Sequence, residues 1–138
     1  MREVKFTRKE FACECGCGFD AMDFYLINML EDSRDYFTKK YDAKVKIVVT
    51  GGNRCKAHNE EVQKKYVKNY VPFSSNSEHP NAKAADHKHY YLKVDKWVQI
   101  EPKEVYNYYD IYHPVSGLGL YTNRVHLDSR TYKARWVG

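Results

Sequence analysis

The sequence predicts one α+β domain, a small antiparallel sheet with flanking helices, spanning residues 1–138. Three observations predict it. A chain of 138 residues suits one domain and buries about two-thirds of the surface its unfolded form exposes. Segments of helical period dominate the first half. Short runs with β-branched residues or period-two alternation follow, which favours α+β over a doubly wound parallel sheet.

The elements follow in order. Residues 6–19 read as an entry loop ending in Cys13-Glu14-Cys15-Gly16-Cys17-Gly18. Residues 21–37 read as an amphipathic helix: Met22, Leu26, Met29, Leu30 and Phe37 recur at helical spacing, with Glu31, Asp32, Arg34 and Asp35 between them. Asp20 is its expected N-cap. Residues 44–50 alternate and then run β-branched, which predicts a strand, and Gly51-Gly52-Asn53 turns out of it. A second helix is expected over 57–69, then a loop at 74–77. Strands are expected over 83–87 and 91–99. Pro102 suits the first turn of a helix over 103–112. Strands over 124–129 and 132–137 complete the chain, with Gly117 and Gly119 ahead of them.

The net charge is +5 and the pI about 8.9. Such an excess attracts polyanions without choosing among them. No five like charges run together, so a dedicated nucleic-acid arm is excluded as an expectation. Residues 1–6 lack the apolar stretch of a signal peptide. The longest apolar run, around Ile47-Val48-Val49, is too short to span a membrane. The expectation is a monomer, cytoplasmic at synthesis, with no membrane insertion.

Two segments carry metal-binding chemistry. One is Ser77-Glu78-His79, running on to Asp86; the other is Val125-His126-Leu127-Asp128. Catalytic zinc takes three protein ligands and leaves a position open for water. Two imidazoles and one carboxylate suit it, since the carboxylate lowers the net charge of the site. On a strand, His126 and Asp128 point to one side while Val125 and Leu127 pack behind. One of the pair then serves the metal and the other the proton. Spacing alone is a weak signal, because six histidines offer many pairings.

Ser77-x-His79-x-x-Ala82-x-Ala84-x-Asp86 resembles the Ser-x-His-x-x-Gly-x-Ala-x-Asp signature of the zinc D-Ala-D-Ala carboxypeptidase and phage endolysin family, which has the hedgehog-type zinc peptidase fold. Other stretches are similar in the same order. Gly51-Gly52-Asn53-Arg54-Cys55 resembles the family's Ser-Gly-Tyr-Arg-Cys, and His58-Asn59-x-x-Val62 its His-Asn-x-x-Val. Gly117-x-Gly119-x-Tyr121, Val125-His126-x-Asp128-x-Arg130 and Arg135-Trp136 resemble the end of its short, phage-associated branch, and Phe6-x-x-x-Glu10-Phe11-x-Cys13 resembles its opening. The resemblance spans nearly the whole chain and is least over 87–116.

The resemblance implies a zinc metallopeptidase that hydrolyses peptide bonds of peptidoglycan, reaching the wall by phage-mediated release. It implies one catalytic zinc ion on His79, Asp86 and His126. Arg54 would hold substrate or the oxyanion, and Ser77 would orient substrate or the zinc site. Asp128 is the candidate base. Some relatives place an acid three residues before the third ligand, where this chain has Asn123. Ala82 replaces a usual glycine, and Gly51 and Asn53 a usual serine and tyrosine. The alternative is a zinc-bound wall-binding or phage structural module of the same fold that does not cut.

Cys13, Cys15, Cys17 and Cys55 are open to three states: free thiols, disulfides, or a second, structural zinc site. The Cys-x-Cys-x-Cys spacing is not the usual two-residue knuckle, so the structural site is not the favoured reading. His87 and His89 are expected at the surface or beside the ligands. Tyr106, Tyr108, Tyr109 and Tyr112 are expected in the core or half-buried.

Overall fold

The computed structural model describes residues 3–18, 20–54, 56–66 and 83–138. Ser77 and His79, two of the expected site residues, lie outside that range, as do Ala82 and Cys55. The described residues form a small α+β domain with three α-helices and a six-stranded sheet.

Helix α1 covers Phe24–Tyr41. Its N-cap is Asp23, not Asp20: the Asp23 carboxylate accepts from the Leu26 amide at 2.9 Å. Asp20 instead pairs with Arg8 at 2.6 Å. Asp42 ends the helix in the left-handed conformation, with φ 48°, and Lys39 and Lys40 lie where the helix dipole favours positive charge. Leu26, Leu30 and Phe37 bury one face completely, each worth about 1.5–3 kcal/mol of transfer free energy. The same helix buries an ion pair. Arg34 Nε donates to Glu31 Oε1 at 2.6 Å, and the Lys5 amide donates to Glu31 Oε2 at 2.6 Å.

Strand β1 (Val45–Gly51) leads into α2 (Lys56–Tyr66). Strand β2 (Ala84–Lys93) is one continuous strand where two were expected, and it turns at Val94-Asp95 into β3 (Lys96–Gln99). Val94 carries the turn at φ 59°. Helix α3 (Pro102–Tyr112) opens on Pro102, as the sequence predicts. Strands β4 (Gly117–Leu120), β5 (Val125–Asp128) and β6 (Ala134–Val137) follow. The sequence reading assigned no strand to 117–120.

The strand order is β1-β2-β5-β4-β6, with β3 on β2. The expected antiparallel sheet is in fact mixed, because β4 and β6 pair in parallel while the other pairs are antiparallel. The crossover through β5 puts β6 beside β4 in the same direction, which the local patterns of two short strands do not encode.

Helices α1 and α3 pack on one face of the sheet. There, Ala85, His87 and His89 alternate along β2 into the core, beside Val125 and Leu127 of β5. His87 and His89 are each 1 % exposed, which corrects the expectation that they lie at the surface. Burial of a neutral imidazole is tolerable when its nitrogens find partners. His87 Nδ1 is 3.0 Å from the Ala85 carbonyl and its Nε2 is 2.8 Å from the Tyr109 hydroxyl. His89 Nε2 is 2.8 Å from Ser33 Oγ, which donates to the Leu30 carbonyl at 2.6 Å.

Candidate metal centre

The opposite face of the sheet carries the charged groups. Asp86 of β2 stands directly across from His126 of β5, and Ala84 stands across from Asp128. Cross-strand partners share a face, so this register sets the Asp86 carboxylate against the His126 ring. The Asp86 Oδ1 to His126 Nδ1 distance is 2.9 Å. The other ring nitrogen, Nε2, lies 2.7 Å from Asp128 Oδ2. His126 is thus held between two carboxylates, with the Trp136 ring tilted against it at 4.9 Å between ring centres.

Burial alone would push the His126 pKa down, but hydrogen bonds to Asp128 and Asp86 outweigh it and raise it. Positive charge is therefore favoured between these two aspartates. Among the described residues no third His, Cys, Asp or Glu brings a ligand atom to the Asp86–His126 pair, and the three-donor group they contain is Cys13, Cys15 and Cys17. The donors of the pair are one carboxylate oxygen and one imidazole nitrogen, a set that suits zinc. The remaining nitrogen already has a carboxylate partner, which is how metal-bound histidines are usually oriented.

Asp128 is fully buried and fully engaged. Arg130 grips it through two bonds, Nε to Oδ1 at 2.7 Å and Nη2 to Oδ2 at 2.8 Å. The Gly117 amide adds a bond to Oδ1 at 3.1 Å. Burial would raise the Asp128 pKa, but bonds from His126 and Arg130 outweigh it and hold the carboxyl well below the usual range. A carboxylate so placed orients its neighbours and is a weak proton acceptor.

The two glycines of Gly117-Leu118-Gly119 explain how this fits. Gly117 pairs across from Asp128, and a Cβ there would fall onto its carboxylate. Gly119 pairs across from His126 and beside Trp136, and a Cβ there would fall onto the indole. Both glycines make room for side chains of the site. Their alternation was visible in the sequence, but its meaning depends on the β4–β5 register.

Arg54 lies at the mouth of the site, with Nη2 3.8 Å from Asp86 Oδ2. Burial lowers its pKa, while the nearby charges of Asp86 and Glu14 hold it up. The turn that carries it is tied to the N-terminal segment. The Asn53 amide donates to the Phe11 carbonyl at 2.9 Å, and Asn53 Nδ2 donates to the Ala21 carbonyl at 2.6 Å. A cavity of about 480 Å³ opens beside it, lined among others by Glu14, Arg54, His58, Lys88, Asn123 and Arg124. Its charged side chains are Arg54, Lys88 and Arg124, with Glu14 as the acidic one.

The structure thus brings together Arg54, Asp86, His126 and Asp128 of the expected set. It adds Arg130, Trp136, Gly117 and Gly119, which the sequence motifs contain but to which the reading gave no role. Away from this centre, the Sγ atoms of Cys13, Cys15 and Cys17 all lie within 4.8 Å of one another, close enough to hold a metal ion. The Cys-x-Cys-x-Cys spacing alone does not favour such a cluster. No helix among the described residues is long and apolar enough to cross a membrane. No family model matches the chain, and no curated protein or solved structure matches it either.

Proposed function

We propose that this protein is a zinc-dependent metallopeptidase that hydrolyses peptide bonds of bacterial peptidoglycan, with the hedgehog-type fold the sequence motifs imply. The observation that carries the reading is the cross-strand pairing of Asp86 with His126, with Asp128 behind the ring and Arg54 in front. His79 is the expected third ligand from the ordered motif Ser77-x-His79…Asp86.

A zinc ion held by these residues acidifies water and polarises a carbonyl. The chain's own residues do the rest. Asp128, bonded to Nε2, turns Nδ1 of His126 toward Asp86, and Arg130 keeps Asp128 in place. Arg54, fixed at the cavity mouth, binds a substrate carboxylate or the oxygen on which negative charge grows during attack. Lys88 and Arg124 give the cavity an affinity for the carboxylates of peptidoglycan stem peptides. Phage-mediated release fits an enzyme that meets its substrate at the wall.

Asp128 fits the role of positioning residue better than that of base, because its oxygens are taken. That same fact, with Asn123 on the cavity wall, favours a second reading: a zinc-bound wall-binding or phage structural module that does not cut. One assay separates them. Purified peptidoglycan is incubated with the protein, new amino groups are counted and the fragments are identified by mass spectrometry. The peptidase reading expects release that stops on chelation, returns with zinc, is lost in His126→Ala and falls about 10²-fold in Arg54→Ala. Release that survives both chelation and His126→Ala sinks it; wall binding with no release supports the module.

A further inference from the structure

The three clustered cysteines lie on a loop of unusual shape. Gly16 and Gly18 sit at φ +79° and +87°, values that side-chain-bearing residues rarely adopt. The Gly16 amide donates to the Cys13 carbonyl at 3.2 Å, closing a tight turn. That turn gathers sulfurs from positions 13, 15 and 17 at one point. Cys13 Sγ and Cys15 Sγ are 3.4 Å apart. A disulfide holds its sulfurs at about 2.05 Å. Thiolates around a tetrahedral zinc, each about 2.3 Å from the metal, lie about 3.8 Å from one another. At 3.4 Å the Cys13 and Cys15 thiols share a hydrogen bond and no disulfide, and all three sulfurs lie within 4.8 Å of one another, inside the reach of a single metal ion.

We infer that Cys13, Cys15 and Cys17 form a second, thiolate-rich metal site of the zinc class, whose role is to brace one wall of the cavity. Soft thiolates select zinc over magnesium or calcium. Each thiol gives up its proton when the ion binds. A fourth position is left to water. Cys13 is buried while Cys15 and Cys17 are exposed, so an ion reaches the sulfurs from solvent.

The bracing role follows from what the loop touches. Glu14, between two of the ligands, lines the cavity together with Arg54. Two residues before Cys13, the Phe11 carbonyl accepts from the Asn53 amide. Gly52 approaches so closely that a Cβ on it would come within 2.8 Å of Phe11 Cα. The cysteine loop and the Arg54 turn are thus packed backbone to backbone. A metal on the loop fixes both Glu14 and the support of Arg54.

This inference does not depend on the peptidase reading, and the test keeps them apart. The full chain carrying Asp86→Ala and His126→Ala is purified under reducing conditions, loaded with zinc or cobalt and analysed for metal. The expected result is one bound equivalent and a thiolate-to-cobalt charge-transfer band, both lost when Cys15→Ser and Cys17→Ser are added. Removing the zinc should raise amide hydrogen exchange over residues 12–18 and 52–54. Wild-type protein loaded with cobalt gives the same band without reliance on any variant. Absence of the thiolate band, or a native mass showing a Cys13–Cys15 disulfide in place of bound metal, overturns the inference.

Discussion

Acidification should unfold this protein through two histidines that take no part in the candidate centre. His87 and His89 point from β2 into the core. Burial pushes His87 down from 6.5 to about 4, against smaller opposing effects of the Ala85 carbonyl and Asp86. Burial, with the charges of His87 and Arg34, pushes His89 well below its ordinary value. The neutral rings have partners at three of their four nitrogens: His87 donates from Nδ1 to the Ala85 carbonyl and holds Nε2 2.8 Å from the Tyr109 hydroxyl, and His89 donates from Nε2 to Ser33, while His89 Nδ1 is buried without a partner among the described residues. The unfolded chain therefore binds more protons than the folded one between these values, so stability falls as pH drops. For His87 alone the loss from pH 7 to pH 4 is on the order of 2–3 kcal/mol, and His89 adds to it. His126, raised in the metal-free protein, works with the opposite sign, so the comparison must leave it in place. Equilibrium urea unfolding across this range, for wild type and for His87→Leu with His89→Leu, isolates the effect. Tyr109 lies 3.1 Å from Ser33 Oγ and keeps a partner in the double variant. The variant should lose most of the acid slope between pH 6.5 and pH 4. Superimposable pH profiles would refute the reasoning.

Three further outcomes are expected. Asp128→Asn leaves the His126 tautomer unfixed and Arg130 without its charge partner, so zinc affinity should fall 10- to 100-fold by competition with a chromogenic chelator; unchanged affinity would deny Asp128 its orienting role. Gly117→Ala drives a methyl into a carboxylate that Arg130 and His126 prevent from moving. It should cost about 1–3 kcal/mol in thermal unfolding and weaken zinc binding, and an unchanged unfolding temperature would mean that the carboxylate moves aside. Glu31→Ala strands Arg34, 7 % exposed, beside Phe6 without its counter-charge. The expected loss is about 3–5 kcal/mol by denaturant unfolding, and a loss below about 1 kcal/mol would mean that water reaches the guanidinium.

Periodicity made the helices and most strands legible because it is a local property. Leu26, Leu30 and Phe37 announce a buried helical face, and Pro102 announces a helix start. Three things were not local. Asp23 rather than Asp20 caps α1 because Arg8, twelve residues upstream, takes Asp20. The parallel β4–β6 pair depends on a strand order that no short segment specifies. Gly117 and Gly119 gained their meaning only when β5 was laid beside β4. The candidate site was legible to the extent that it rests on period-two geometry: His126 and Asp128 do share a face. What the motif could not say is that Arg130 would grip both oxygens of Asp128, the candidate base.

The histidines show why alternation decides chemistry here. His87 and His126 sit on adjacent strands, yet their surroundings drive their protons in opposite directions. His87 faces Tyr109, His89 and hydrocarbon, where only a neutral ring is stable. His126 faces Asp86 and Asp128, where charge is balanced. One residue of register separates the two fates, since Asp86 and His87 are neighbours in sequence and point to opposite faces. A one-residue slip of β2 against β5 would bury Asp86 beneath α1 and α3 and put His87 beside His126. Two imidazoles and no carboxylate would then meet across the strands, and the place favoured for positive charge would be gone. The buried network of His87, His89, Tyr109 and Ser33 favours this register, because a slip would break the His87–Tyr109 and His89–Ser33 contacts. The core polar groups thereby help fix the alignment that the charged face needs, and replacing His87 and His89 by leucine should loosen that alignment as well as flatten the acid profile.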